Sequence, residues 1–463
     1  MKPAIPQNFT IGVATAALQI EGDAAGRGPS TWDTFAAQPG RILDASMPAI
    51  TADHVNRLDA DIALLKQLGV DSYRFSLSWP RIQPTGTGPA SSAGIAFYDR
   101  LIDALLGAGI RPMVTLYHWD TPEPLQAAGG WMNRDTAKRL GDLAAIVGEA
   151  FGDRVDKWVT INEPATVTLN GYALGVHAPG RDLLFDALPA AHHQLLGHGY
   201  ATQALRAAGV TGGIGITNVH SPVVPARRRM LDRYFARIFD LVHNRIYADP
   251  VLLGRYPKPP IGSGSLFRVL TEVDTEDLRV IHQPLDFYGL NYYMPTRIRA
   301  GASASTETPD GEAEAMTRVP FSLVPFDGYE KTGFGWPIAP EYLAVTFAQL
   351  AERYGEALPP IYLTENGASF ADVRSDDGAF HDSERVAYLE RHLTVALRGA
   401  PGVDVRGFFA WSLLDNWEWA AGFTQRFGLV HVDFDTQERT PKDSYRWLQA
   451  LLALRATESD VEA

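Results

Sequence analysis

Residues 55–79 read VNRLDADIALLKQLGVDSYRFSLSW. Val55, Leu58, Ile62, Leu65 and Leu68 fall at steps of three and four, the spacing that gathers apolar side chains on one face of a helix. Gly69 then stops that helix, because glycine takes the left-handed cap conformation without a Cβ penalty. After it, SYRFSLSW from Ser72 has the alternation of a strand. A helix that hands the chain to a strand across a glycine is one β/α unit, and similar units recur for nearly the whole length. Candidate strands are FTIGVAT near Phe9, YRFSL near Tyr73, RPMVTLY near Arg111, DKWVTI near Asp156, GGIGITNV near Gly212, DFYGLNY near Asp286, PIYLTE near Pro360 and RGFFAWSL near Arg406. Eight strands with room for crossover helices between them are what a closed barrel requires. The expected class is therefore α/β, a single-domain (β/α)8 TIM barrel over residues 1–463. A doubly wound open sheet competes, but no GxGxxG, Walker loop or GxSxG elbow is present. The polar stretch 301–317 reads as an exposed excursion, and 456–463, ATESDVEA, as a frayed tail.

Composition narrows the partners. With 46% hydrophobic residues in 463, the chain buries a large core. A formal charge of -13 argues against nucleic acid or an anionic membrane surface, and favours a neutral or cationic small ligand. The absence of cysteine excludes disulfides, thiolate metal sites and a cysteine nucleophile. The start, MKPAIPQNF, lacks the apolar segment of a secretory signal, and no run suits a bilayer span, so a soluble, cytoplasmic protein is expected. His192, His193 and His198 lack the three- or four-residue spacing of a helical metal pair, and no HExxH occurs. No metal and no cofactor are expected.

Five polar clusters lie at or just past the carboxyl ends of candidate strands: HWD at His118, NEP at Asn162, NYY at Asn291, TENG at Thr364 and WSLLDNWEW at Trp411. In a (β/α)8 barrel those ends share one face, where active sites are built. Two clusters set a glutamate next to an asparagine, Asn162-Glu163 and Glu365-Asn366. Taken singly, each glutamate is an ordinary loop acid. A facing pair of carboxylates is the minimum apparatus for cleaving a glycosidic bond, one protonating the leaving oxygen and the other attacking or guiding water.

QIEG at Gln19, GRGPSTWDTF at Gly26, YHWDTP at Tyr117, TINEP at Thr160, LNYY at Leu290, LTENG at Leu363, WSLLDNWEW at Trp411 and RFGLVHVDFDTQERTPKDSYRW at Arg426 occur in that order. From about Phe9 to Trp447 the chain thereby resembles glycoside hydrolase family 1, the β-glucosidase family. The resemblance implies a retaining, exo-acting hydrolase of terminal β-D-glucosyl residues, with galactosyl and fucosyl residues as further glycones. A transglycosylating member of the same family and a catalytically idle sugar-binding barrel are the alternatives. Glu163 is then the acid/base and Glu365 the nucleophile, with carboxyl groups about 5–5.5 Å apart. Arg74 and Tyr293 would keep Glu365 ionised, and Asn162 would bond the sugar 2-hydroxyl. By residue type alone, Arg74 reads as an interior ion pair.

Sugar recognition is implied for Gln19, His118, Trp119, Asn291, Trp411, Glu418 and Trp419, with Trp336 as a platform for the leaving group. Glu418 accepts hydroxyl donors and would repel a 6-phosphate. The Trp411–Ser412 peptide is often cis in this family, and Trp417 is expected to pack behind the other rings. Departures from the family pattern occur at Ala17-Leu18, where an aromatic commonly precedes the glutamine, and at Thr31.

Overall fold

The helix His54–Leu68 ends as its sequence dictates: Gly69 sits at φ +79°, its N–H donating to the Leu65 carbonyl. Leu58, Leu65 and Leu68 are buried, and Val55 and Ile62 are half-buried on the same core. The next strand follows within four residues. In the computed structural model of the protein, which describes residues 4–301, 315 and 318–462, eight such strands close a barrel. They are β1 (Thr10–Ala14), β2 (Ser72–Ser76), β3 (Arg111–Tyr117), β4 (Lys157–Asn162), β5 (Gly213–Val219), β6 (Phe287–Asn291), β7 (Ile361–Asn366) and β8 (Val405–Trp411). Each lies parallel to its sequence neighbour, and β8 returns to β1 with Phe409 opposite Gly12. Every strand expected from the sequence is present, and the (β/α)8 class holds.

The closure depends on small residues where strands meet large interior side chains. A Cβ on Gly12 would lie 2.3 Å from the Phe409 ring and 2.8 Å from the Ser72 carbonyl oxygen, so glycine makes room for that ring. Phe409, Met113, Val159, Phe287 and Tyr362 pack together in the barrel interior, and the same apolar cluster continues upward into Trp411, Trp417 and Trp419. The floor of the barrel mouth is therefore a close-packed core rather than a channel. A second, larger core fills the space between the strands and the outer helices.

Short strands outside the barrel were not legible from periodicity. Val223–Pro225, Thr296–Ala300 and Phe321–Leu323 form a small sheet beyond the carboxyl ends of β5 and β6. Val430–Val432 and Arg439–Pro441 form an antiparallel pair after β8. Four of them have only three residues, too few to show alternation. The excursion read at 301–317 lies, apart from residues 301 and 315, outside the described residues. The last helix spans Asp443–Glu462, so its backbone runs on through the stretch expected to fray.

Candidate active site

Because all eight strands run the same way, their carboxyl ends open on one mouth, and a pocket of about 220 Å³ lies there. Glu163 and Glu365, 202 positions apart in the chain, both line it and both are almost completely buried. Local backbone irregularity aims them. The β4–β5 register breaks between Val159 and Asn162, and the β6–β7 register breaks between Leu363 and Glu365. Such bulges turn side chains out of the regular alternation. Glu163 itself leaves β4 in the left-handed region at φ +48°, and Pro164 then starts the helix Pro164–Thr166. Trp119 at φ +74° and Trp419 at φ +50° line the same pocket. Each such conformation costs on the order of 1 kcal/mol or more for a residue with a Cβ, and such residues concentrate where a site must be held in one geometry.

Glu365 is held by two donors. Arg74 Nη1 donates to its Oε1 at 2.5 Å, and Tyr293 Oη donates to its Oε2 at 2.7 Å. The Arg74 guanidinium is buried in β2, and its other hydrogen bonds go to the Thr364 carbonyl at 3.0 Å, Thr115 Oγ1 at 3.2 Å and Asn162 Oδ1 at 2.7 Å. Arg74 is thus an interior ion pair, and its partner is the Glu365 carboxylate. Burial and the nearby charges of Glu365 and Glu163 push the Tyr293 hydroxyl well above the ordinary tyrosine range, so it remains a donor.

Glu163 has a different environment. Asn291 Nδ2 donates to its Oε1 at 2.6 Å and Thr166 Oγ1 to its Oε2 at 2.8 Å. Burial raises its pKa first and the charge of Glu365 second, against the lowering effect of Asn291, Thr166 and Arg74. The result is a carboxyl pushed up to about 7, from an ordinary value of 4.5. One acid in the pocket is poised to hold a proton near neutrality while the other is paired to a guanidinium, the division that acid/base and nucleophile roles demand.

The rings and polar groups expected to recognise sugar gather on one side. His118, Trp119, Trp411, Glu418 and Trp419 all line the pocket. The His118 ring stacks near Trp411 and Trp419, 5.9 Å from each, and Trp119 lies 4.4 Å from Trp419. Burial and the Arg74 charge hold His118 well below its ordinary value, so its imidazole is neutral. The Trp411–Ser412 peptide is cis. Trp417 is fully buried behind this wall, packed edge-on to Trp32 and donating from Nε1 to Ser46 Oγ at 2.9 Å. Trp336 also lines the pocket, 5.4 Å from the Tyr293 ring and stacked on Phe334.

Three expected sugar-facing residues are placed further back. Gln19 is fully buried, with Nε2 donating to Asn416 Oδ1, the Trp417 carbonyl and Glu418 Oε2, while its Oε1 has no protein partner. Asn162 and Asn291 are also fully buried. Asn162 Oδ1 accepts from Arg74 and from Asn291 Nδ2 at 3.1 Å, its Nδ2 lies 3.0 Å from His118 Nε2, and Asn291 is turned onto Glu163. The two asparagines therefore form a hydrogen-bonded bridge from the Arg74–Glu365 pair to Glu163.

The loop carrying Glu418 is fixed from below. Asp415 accepts from the Lys442 ammonium at 2.8 Å, from Arg426 at 3.0 Å and from the Gly428 N–H at 2.9 Å. Lys442, fully buried, also donates to Asp372 at 2.5 Å, and Arg385 bridges Asp372 and Asp382. The conspicuous sequence from Arg426 to Trp447 earns its place here, as an electrostatic clamp under the aromatic loop. The three histidines raised as a metal question have protein partners instead: His192 with Asp277 and Tyr256, His193 with the Trp131 carbonyl, His198 with Thr160.

Sequence reasoning missed Thr166, whose contact with Glu163 follows only from the backbone turn between them. It also missed Phe239 and His243, which reach the pocket from a chain segment with no motif of its own.

Comparison with known proteins places the chain in a clear setting. The family described as glycosyl hydrolase family 1 matches residues 1–456. β-Glucosidase A of Thermotoga maritima is 40% identical over 446 residues, covering 96% of each chain. A bifunctional β-D-glucosidase/β-D-fucosidase of Bifidobacterium breve is 39% identical over 471 residues, covering 98% of this chain and 99% of that one. The crystal structure of the psychrophilic β-glucosidase BglU from Micrococcus antarcticus superposes with a TM-score of 0.91 at 41% identity, over 98% of both chains.

Proposed function

The chain belongs to glycosyl hydrolase family 1 and is a glycosidase of the β-glucosidase type; on that premise we propose that Glu365 is its nucleophile and Glu163 its acid/base. The reaction is a retaining double displacement at a terminal, non-reducing β-D-glucosyl residue. The Glu365 carboxylate attacks the anomeric carbon as the glycosidic C–O bond breaks, and Glu163 gives its proton to the departing oxygen. Water then attacks the same carbon, Glu163 takes the water proton, and the bond to Glu365 breaks. The observation that carries this reading is the difference between the two carboxyls: Glu365 bound to Arg74 and Tyr293, Glu163 buried beside it and pushed up to about 7.

Glu418 and Gln19 support selection of an unphosphorylated glycone. Glu418 accepts hydroxyl donors, and the Gln19 oxygen without a protein partner offers a further acceptor behind it. The relative from Bifidobacterium breve is named for both glucosidase and fucosidase activity, and we extend the glycone range of this chain to fucosyl and galactosyl residues on the same geometry. The pocket is also lined by the apolar side chains of Leu169, Phe239, Leu323, Phe326 and Trp336, a surface suited to aryl and alkyl leaving groups.

Chemical rescue tests the assignment. Glu365→Gly should lose hydrolysis of a nitrophenyl β-glucoside, and added azide should restore turnover with an α-glucosyl azide as product. Glu163→Ala with azide should instead give the β-azide. A β-product from Glu365→Gly would indict another nucleophile.

A further inference from the structure

Thr166 stands three residues after Glu163, half-buried on the pocket wall. Its N–H donates to the Glu163 carbonyl at 3.1 Å, closing the first turn of the helix, so that its hydroxyl falls 2.8 Å from Glu163 Oε2. No step of the double displacement above employs that hydroxyl.

The other oxygen of Glu163 has its role fixed by a chain of donors. A guanidinium only donates, so the Asn162 atom bound to Arg74 is the carbonyl oxygen. The Asn291 atom facing that oxygen must then be the amide nitrogen, and this same nitrogen lies 2.6 Å from Glu163 Oε1. An amide nitrogen donates and never accepts. Oε1 is thus an acceptor whether or not Glu163 is protonated, and the transferable proton belongs on Oε2. The hydroxyl of Thr166 touches the oxygen that gives up and regains the reacting proton.

Resting on the assignment of Glu163 as acid/base, we propose that Thr166 is a positioning residue that holds Glu163 Oε2 toward the glycosidic oxygen and favours its anion when it must act as a base. A hydroxyl donor bonds a carboxylate more strongly than a neutral carboxyl group. The contact therefore opposes the upward push of burial and of Glu365, keeping the acid strong enough to release its proton. It also returns most in the second step, when Oε2 must accept a proton from water.

The test compares Thr166→Val, which keeps the shape and removes the hydroxyl, with Thr166→Ser, which keeps the hydroxyl. In Thr166→Val the alkaline limb of the kcat/KM profile should move up by roughly half to one pH unit, the size expected for the difference between one hydrogen bond to a charged carboxylate and one to a neutral carboxyl. With an activated aryl glucoside, for which breakdown of the glucosyl-enzyme limits turnover, kcat should fall about 10-fold while KM falls with it. Thr166→Ser should restore the wild-type limb. An unmoved limb in Thr166→Val, or an equal shift in Thr166→Ser, overturns the proposal. Azide rescue of Glu163→Ala is run beside them: its failure overturns the assignment of Glu163 and is distinct from a normal rescue with an unmoved Thr166→Val limb, which overturns the role of Thr166 alone.

Discussion

Replacing Glu365 by glutamine should lower the pKa of Glu163, and the size of the fall can be worked from the site. The Glu163 carboxyl is raised to about 7 from 4.5, by burial first and by the Glu365 charge second. At the separation of about 5 Å that a retaining pair requires, two unit charges at an effective dielectric of about 20 repel by roughly 3 kcal/mol, or about 2 pKa units. Glu365→Gln removes that repulsion and also frees the Arg74 charge from its partner, which lowers the pKa further. Burial remains and stops the descent above the ordinary value. The expected result is a Glu163 pKa of about 5. Carbon-13 labelling of glutamate carboxyls, with Glu163→Gln to assign the resonance, reads this directly by NMR titration. Esterifying Glu365 with a 2-deoxy-2-fluoroglucoside should produce the same fall in the wild type. In the unmodified enzyme kcat/KM should decline as pH rises through about 7, because the first step needs the protonated form. An unchanged or higher Glu163 pKa in Glu365→Gln would refute the reasoning, since the elevation would then owe nothing to the facing carboxylate.

Two further outcomes are expected. Glu418→Ser removes an acceptor that takes hydroxyl donors at charge-assisted strength, and should cut kcat/KM for β-glucosides by about 10²-fold or more. For β-xylosides, which lack the hydroxymethyl group, the loss should be smaller; equal losses would contradict its role as a glycone selector. Lys442→Met leaves Asp372 and Asp415 buried without their shared cation, and should cost about 3–5 kcal/mol in urea unfolding. A cost under about 1 kcal/mol would show that the clamp contributes little.

Most of the barrel was legible because its signals are local. Apolar steps of three and four ending at Gly69, then alternation from Ser72, describe one helix and one strand without reference to anything distant. The short strands Val223–Pro225 and Phe321–Leu323 were not legible, because three residues carry no period. The aromatic stretch WSLLDNWEW was read as recognition rather than catalysis, and Trp411, Glu418 and Trp419 do line the pocket while Trp417 packs behind. Asn291 and Gln19 are the instructive differences. Both belong to motifs tied to sugar binding, yet one is turned onto Glu163 and the other spends its amide group on Asn416, Trp417 and Glu418.

The sequence alone determined the strand count, the order of the polar clusters and the presence of two glutamates next to asparagines, because each is written in a few consecutive residues. Tertiary structure alone decided what surrounds those glutamates. A pKa depends on burial and on charges near in space, and the groups that set it here, Arg74, Thr166, Asn291 and the facing glutamate, come from β2, the first turn after β4, β6 and β7. Only closure of the barrel brings them within hydrogen-bond reach, and only then do two identical side chains come to lie in different electrostatic surroundings.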